Sequence, residues 1–203
     1  MQLTIEHQEQ YSRADLLLRT FFGWIYIGVP HCFLLFFISL WGSVLSFMSF
    51  WAILFTGSYP QNWFNFQVRS LNWSTRVNAT FMNLVDGYPA FGLDGATEKV
   101  SLTIPYHETS SRGSLLLRLF FGWLYVGIPH GICLAFRCMA TVVLVGLAWF
   151  AVLFTGRYPC SWHAFNVGTN RWALHVYAYM YMMVDDYPRF SGKEEIANEV
   201  AES

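Results

Sequence analysis

The sequence predicts an all-α integral membrane protein made of two parallel tandem repeats, each with about two transmembrane helices, one interfacial helix and a short N-terminal strand. Three observations carry that expectation. Charged residues occupy only 12% of the 203 positions, about half the share found in soluble domains. Hydrophobic residues reach 55% and aromatic residues 19%, which is more apolar surface than a chain of this length hides in one core. Sliding the chain against itself by 99 residues aligns positions 3–91 with 102–190 without a gap, and 40 of those 89 pairs are identical. The same composition excludes disordered, collagen-like and coiled-coil classes. A formal net charge of −1 leaves no electrostatic footprint for nucleic acid.

The identities fall in blocks. Leu16-Leu17-Leu18-Arg19 returns as Leu115-Leu116-Leu117-Arg118, and Pro30-His31 returns as Pro129-His130. Asp86-x-Tyr88-Pro89-x-Phe91 returns as Asp185-x-Tyr187-Pro188-x-Phe190. Self-similarity at one fixed offset implies two structurally equivalent units. They are a first membrane repeat over 1–91, a linker over 92–101, a second membrane repeat over 102–190 and a polar C-terminal tail over 191–203. Residues 1–19 hold five ionisable side chains besides His7 and no apolar stretch of the secretory type. The spans themselves are therefore expected to act as insertion signals.

Within each repeat, 3–9 and 100–108 have β character, which predicts a small strand pair between the halves. Residues 13–28 and 112–127 follow as apolar-rich helices holding Arg19 or Arg118. Their Trp24, Tyr26, Trp123 and Tyr125 are amphipathic rings that favour the headgroup level, so these helices are expected in the membrane interface. Pro30 and Pro129 then break the apolar tract, because proline suits the first turn of a helix. The 26 residues of 30–55, and of 129–154, give roughly 39 Å at about 1.5 Å each, enough to cross a bilayer with some tilt. Thr-Gly-x-Tyr-Pro stops each of these helices.

The fourth segment, 63–85 and 162–184, is polar in its first copy and greasier in its second. Alone, the first copy reads as an interfacial helix. Two halves with Arg in the same places should insert the same way round, which needs an even number of crossings each, so this segment is expected to be the second span. The alternative is a helical hairpin within 20–56, turning near Gly42 or Arg137, with the fourth segment on the surface. Arg13, Arg19, Lys99, Arg112, Arg118 and Lys193 gather at the repeat ends, which places both termini and the linker in the cytoplasm.

The motif string has a familiar form. Pro-His opens a span, and Phe154-Thr155-Gly156-Arg157-Tyr158-Pro159, Phe165-Asn166-Val167-Gly168, Arg171-Trp172 and Asp185-Asp186-Tyr187-Pro188-Arg189-Phe190 follow. In this it resembles a family of bacterial integral membrane proteins catalogued as a domain of unknown function. The first half departs from the pattern with Ser58, Gln67, Arg69 and Asn72. The resemblance implies a multi-pass protein of the bacterial inner membrane and supplies no catalytic residues.

Candidate chemistry is sparse. His31 and His130 are equivalent histidines at the start of a span and could ligate a haem or line a proton route; the plainer reading has them satisfy backbone groups freed by the proline. Asp86 and Asp185 sit at helix C-termini, where a carboxylate opposes the macrodipole, so Arg19 and Arg118 are expected to compensate them. Arg69, Asn72, Arg76 and Arg171 lie in presumed apolar segments and are candidate contacts to partner chains or lipid headgroups. Cys32, Cys133, Cys138 and Cys160 form no zinc-type cluster, and no phosphate loop, nucleophile elbow or His-x-x-x-His pair is present. No cofactor, metal or enzymatic activity is expected.

Two classes of function remain. One is a non-catalytic scaffold or accessory subunit, surrounded by membrane lipids and packed against other integral membrane subunits or copies of itself. The other is a small transporter or channel-like protein whose polar pathway forms on oligomerisation.

Overall fold

In the computed structural model, which describes residues 1–193, four continuous helical runs surround a two-stranded ribbon. The tail residues 194–203 lie outside the described residues. Strand β1 (Gln2–Ile5) leads to α1 (Arg13–Gly23), α2 (Val29–Thr56) and α3 (Gln61–Phe81). Strand β2 (Val100–Thr103) leads to α4 (Arg112–Gly122), α5 (Ile128–Thr155) and α6 (Cys160–Met180). Helices α1 and α4 start at serine caps, where the Ser12 and Ser111 hydroxyls each accept a backbone N–H three residues on.

The prolines do not break the helices. Between α1 and α2 lies a π turn, Trp24–Gly28, and between α4 and α5 another, Trp123–Gly127. In each the N–H that closes the turn reaches back five residues, from Val29 to the Trp24 carbonyl and from Ile128 to that of Trp123. The widened turn absorbs the N–H that Pro30 and Pro129 lack, so α1 and α2 become one run, as do α4 and α5. Each run has 44 residues, Arg13–Thr56 and Arg112–Thr155, and is long and apolar enough to cross a membrane. Among the described residues only these two qualify. Helices α3 and α6 do not, and the expected second span per half is not met. The hairpin alternative fails too, because α2 and α5 run unbroken past Gly42 and Arg137. Both stop where Gly57 and Gly156 turn left-handed, at φ 78° and 72°.

Helix α3 folds back along α2: Gln67 Nε2 donates to the Gly42 carbonyl at 2.6 Å, and Trp73 reaches His31. Helix α6 folds back along α5 through Arg137 with Thr169 and Trp172 with His130. Across the halves, Asn78 donates to Asn170 and His163 meets the Leu84 carbonyl, so the end of α3 lies beside the start of α6. At the other end Met182 and Met183 sit with Tyr59 and Phe64. Helices α3 and α6 are thus antiparallel, and so are α2 and α5.

The helices of one half therefore run opposite to their counterparts in the other, while both halves turn the same face of the ribbon to the core. The cause is the ribbon. Strands β1 and β2 pair antiparallel with Leu3 directly opposite Leu102, its counterpart 99 residues on. Two equivalent strands paired about equivalent residues are related by an axis perpendicular to the ribbon, and everything attached to them follows.

Each helical run also closes on the other half. Arg13 donates to the Phe154 carbonyl and Arg112 to that of Phe55, both at 3.0 Å, placing cations at the C-terminal ends of α5 and α2. The ribbon turns Leu3, Ile5, Val100 and Leu102 inward to join the core with Leu16, Ile53, Leu84, Leu115 and Val152. Its other face, Gln2, Thr4, Ser101 and Thr103, is polar and outward. Exposed large apolar side chains instead crowd α1, α2, α4 and α5, among them Phe21, Trp24, Phe47, Phe55, Val142 and Phe154.

Candidate functional site

The proline at the head of α2 or α5 leaves one carbonyl, four residues earlier, without its helical donor. In the second half that is Tyr125, and the Tyr187 hydroxyl donates to it at 3.0 Å. In the first half the Tyr88 hydroxyl approaches the Tyr26 carbonyl at 3.4 Å. The Tyr of the Asp-x-Tyr-Pro motif is thus the partner of the proline in the Pro-His motif. His130 joins this junction directly, with Nε2 3.1 Å from the Tyr187 hydroxyl.

The opposite ring nitrogen fixes each histidine. The Trp172 indole donates to His130 Nδ1 at 2.9 Å, and the Trp73 indole donates to His31 Nδ1 at 2.8 Å. An indole N–H can only donate, so Nδ1 holds the lone pair and the proton sits on Nε2. The second half then forms a directed chain from Trp172 through His130 and Tyr187 to the Tyr125 carbonyl. In the first half His31 is wholly buried, and its Nε2 has no hydrogen-bond partner among the described residues. There the ring meets Phe91 edge-on at 4.9 Å, whereas His130 stacks on Phe190 at 3.9 Å. Trp73, Trp172, Tyr88 and Tyr187 are participants that sequence reasoning passed over. Their signal was present, since all four stand at positions identical between the halves, but nothing in the sequence pairs one such position with another.

Arg19 and Arg118 occupy buried positions on α1 and α4. Arg19 donates to the Val85 carbonyl at 2.8 Å and to Asp86 at 3.2 Å. Arg118 donates to the carbonyls of Tyr179, Val184 and Asp185 and to the Asp185 carboxylate. Asp86 also accepts the Ser12 N–H at 2.6 Å. The carboxylate–arginine pairs are present, and each arginine holds the loop after α3 or α6 against the start of the same half.

The polar residues of α3 bond inside the chain. Arg69 pairs with Asp94, and Asn72 makes two hydrogen bonds with the backbone of Leu102 in β2. Arg76 donates to the carbonyls of Ala90 and Gly92, and Arg171 to those of Gly192 and Leu3. Arg69, Asn72 and Arg76 thus find partners inside the chain, and their polarity does not by itself call for outside ones. The four cysteines are unpaired and exposed. Among the described residues no three His, Cys, Asp or Glu side chains converge as a metal site would require.

Two places on the polar side are chemically distinct. Burial pushes His163 down to about 4, so it is neutral at physiological pH and donates to the Leu84 carbonyl at 3.2 Å. Beside it an open cleft of about 630 Å³ lies between α5, α6 and residues 190–193, lined by Arg137, Arg171 and Lys193 and, among the described residues, by no carboxylate.

Residues 112–192 match a family described as a domain of unknown function (DUF4389). The match lies in the second half of the chain. Comparison with curated proteins and with solved structures finds no match.

Proposed function

We propose that this chain is a non-catalytic scaffold of a larger membrane assembly, lying in one leaflet of the bacterial inner membrane with its polar layer towards the cytoplasm. The observation that carries the reading is the division of the molecule into two faces. One is the pair of 44-residue helical runs, whose most apolar windows are only 22% and 17% buried, far too exposed for core helices of a soluble protein. The other holds α3, α6, the ribbon with its polar outer face, and the linker bearing Asp94, Glu98 and Lys99.

The position of the ribbon argues for lying rather than crossing. Strand β2 is tied to the middle of α3 by Asn72, and Ser110 reaches the Gly57 carbonyl beyond the end of α2. The linker thus travels the length of α3. Upright helices α2 and α5 would carry that non-helical, charged segment and the open ribbon edges through hydrocarbon, where unpaired backbone is not tolerated. Each charge there would add about 2.5–3.5 kcal/mol or more. Laid flat, the helices give their apolar arcs to one leaflet and leave the ribbon in water. Arg19, Arg118, Arg76 and both Trp-bound histidines are committed to the chain's own framework, which supports a structural role over a catalytic one.

The orientation is tested on the full chain in a cysteine-free background carrying Gln61→Cys or Glu98→Cys. An impermeant maleimide should label both from the same side of oriented vesicles; labelling from opposite sides would sink the single-leaflet reading. The scaffold role is tested by purification in mild detergent after crosslinking in membranes. Companion polypeptides at fixed stoichiometry are expected, and a lone monomer would overturn the role.

A further inference from the structure

We infer that the cleft between α5, α6 and residues 190–193 binds the phosphate group of an anionic phospholipid. Three cations from three segments face it: Arg137 from α5, Arg171 from α6 and Lys193 from the end of the described chain. Among the described residues no carboxylate lines it, and its one histidine, His163, is held neutral by burial. Arg137 spends Nε on the Thr169 hydroxyl and Nη2 on the Phe165 carbonyl. Its plane rests 4.2 Å over the Phe165 ring. Its Nη1 makes no hydrogen bond among the described residues. A planar guanidinium braced on two sides with one nitrogen left over is preorganised for an oxyanion.

The two halves provide an internal control. At the positions 99 residues earlier stand Ile38, Asn72 and Phe64 in place of Arg137, Arg171 and His163. The first half builds the same helical pair without any of these cations, and Asn72 ties its strand as Arg171 ties the other. The fold therefore does not demand positive charge here.

The place of the cleft selects the ligand. Arg137 belongs to the apolar layer, where its neighbours Phe136 and Met139 are exposed, while Arg171 and Lys193 belong to the polar layer. A molecule with an anionic head and acyl chains fits that boundary; a free phosphate would use only the head site. The choice of lipid over free phosphate rests on the single-leaflet reading. Binding of the anion itself does not.

The test uses protein in dodecylmaltoside micelles, which have no leaflets, so it reads the site independently of the vesicle labelling. Phosphatidylglycerol, phosphatidylcholine and inorganic phosphate are titrated separately, with thermal stabilisation and native mass spectrometry as readouts. Saturable binding of phosphatidylglycerol is expected, at least tenfold tighter than phosphatidylcholine or phosphate. Arg137→Ile and Arg171→Asn install the first-half residues, and each should weaken binding by about tenfold, the worth of one charge-assisted contact. Arg137→Gln serves where the isoleucine variant misfolds, and Arg69→Gln, on an exposed position elsewhere, should bind as wild type. The chain ending at Lys193 is measured in parallel, since residues 194–203 carry several glutamates. Equal binding of the two lipids by both chain lengths, or unchanged binding in the Arg137 and Arg171 variants, overturns the site. Inorganic phosphate binding as tightly as phosphatidylglycerol overturns the assignment to lipid.

Discussion

Replacing Arg118 by methionine should cost far more than neutralising its carboxylate partner, because most of what Arg118 does is done to backbone. Its guanidinium serves the carbonyls of Tyr179 and Val184 at 2.9 and 2.8 Å, in residues only 4% and 5% exposed. Each buried acceptor left without a donor costs about 1–3 kcal/mol. The cation also sits 3.8 Å over the Tyr179 ring, worth about 0.5–2 kcal/mol more. The ion pair is the weaker part: the Asp185 side chain is 39% exposed, and water screening holds such pairs to about 0–1 kcal/mol. Arg118→Met should therefore destabilise by about 3–5 kcal/mol, and Asp185→Asn by less than about 1 kcal/mol. At 2–4 °C per kcal/mol for a chain of this size, the first change lowers Tm by about 6–20 °C and the second by no more than about 4 °C. Thermal unfolding of both variants and the double mutant, in one detergent, measures this. The double mutant should resemble Arg118→Met alone. The reasoning is refuted if Asp185→Asn costs as much as Arg118→Met, or if the double mutant regains most of the loss.

Two further outcomes follow from the junction and from His163. Tyr187→Phe removes the donor to the Tyr125 carbonyl and the partner of His130, and should cost about 1 kcal/mol, whereas Tyr88→Phe, at 3.4 Å from its carbonyl, should cost only a few tenths of a kcal/mol; equal losses in chemical or thermal unfolding would contradict the difference in geometry. His163 titrates at about 4 in the folded chain against an ordinary value of 6.5, so the unfolded chain takes up its proton first as pH falls. Its contribution to stability is complete above pH 6.5 and is lost between 6.5 and about 4, up to about 2–3 kcal/mol. His163→Phe, which copies Phe64 of the first half, should flatten the stability profile relative to wild type across that window. An unchanged difference between the two proteins from pH 7 to pH 4.5 would show that the buried imidazole is not the group responsible.

Composition and the 99-residue offset by themselves pointed to four spans where, among the described residues, only two runs are long and apolar enough for a membrane. They did determine which segments are helical and that each half has the same parts in the same order. These are local properties: apolar runs, serine caps at Ser12 and Ser111, and glycine stops at Gly57 and Gly156 act through neighbours in the chain. The carboxylate–arginine pairs were legible for the same reason, since a charge at a helix end calls for its opposite wherever the chain can supply one. What the sequence could not determine was direction. A duplication states that Leu3 and Leu102 are equivalent, and only pairing of the strands decides that they face each other, reversing α5 against α2. The prolines misled for a related reason. Whether Pro30 ends a helix or is absorbed depends on a π turn and on a tyrosine 58 positions later that takes up the freed carbonyl. The polarity of α3 likewise looked like a demand for outside partners until the ribbon and the 90–94 loop supplied acceptors for Asn72, Arg76 and Arg69. A side chain's need for a partner is written in its own chemistry, but the identity of that partner is a property of the closed fold.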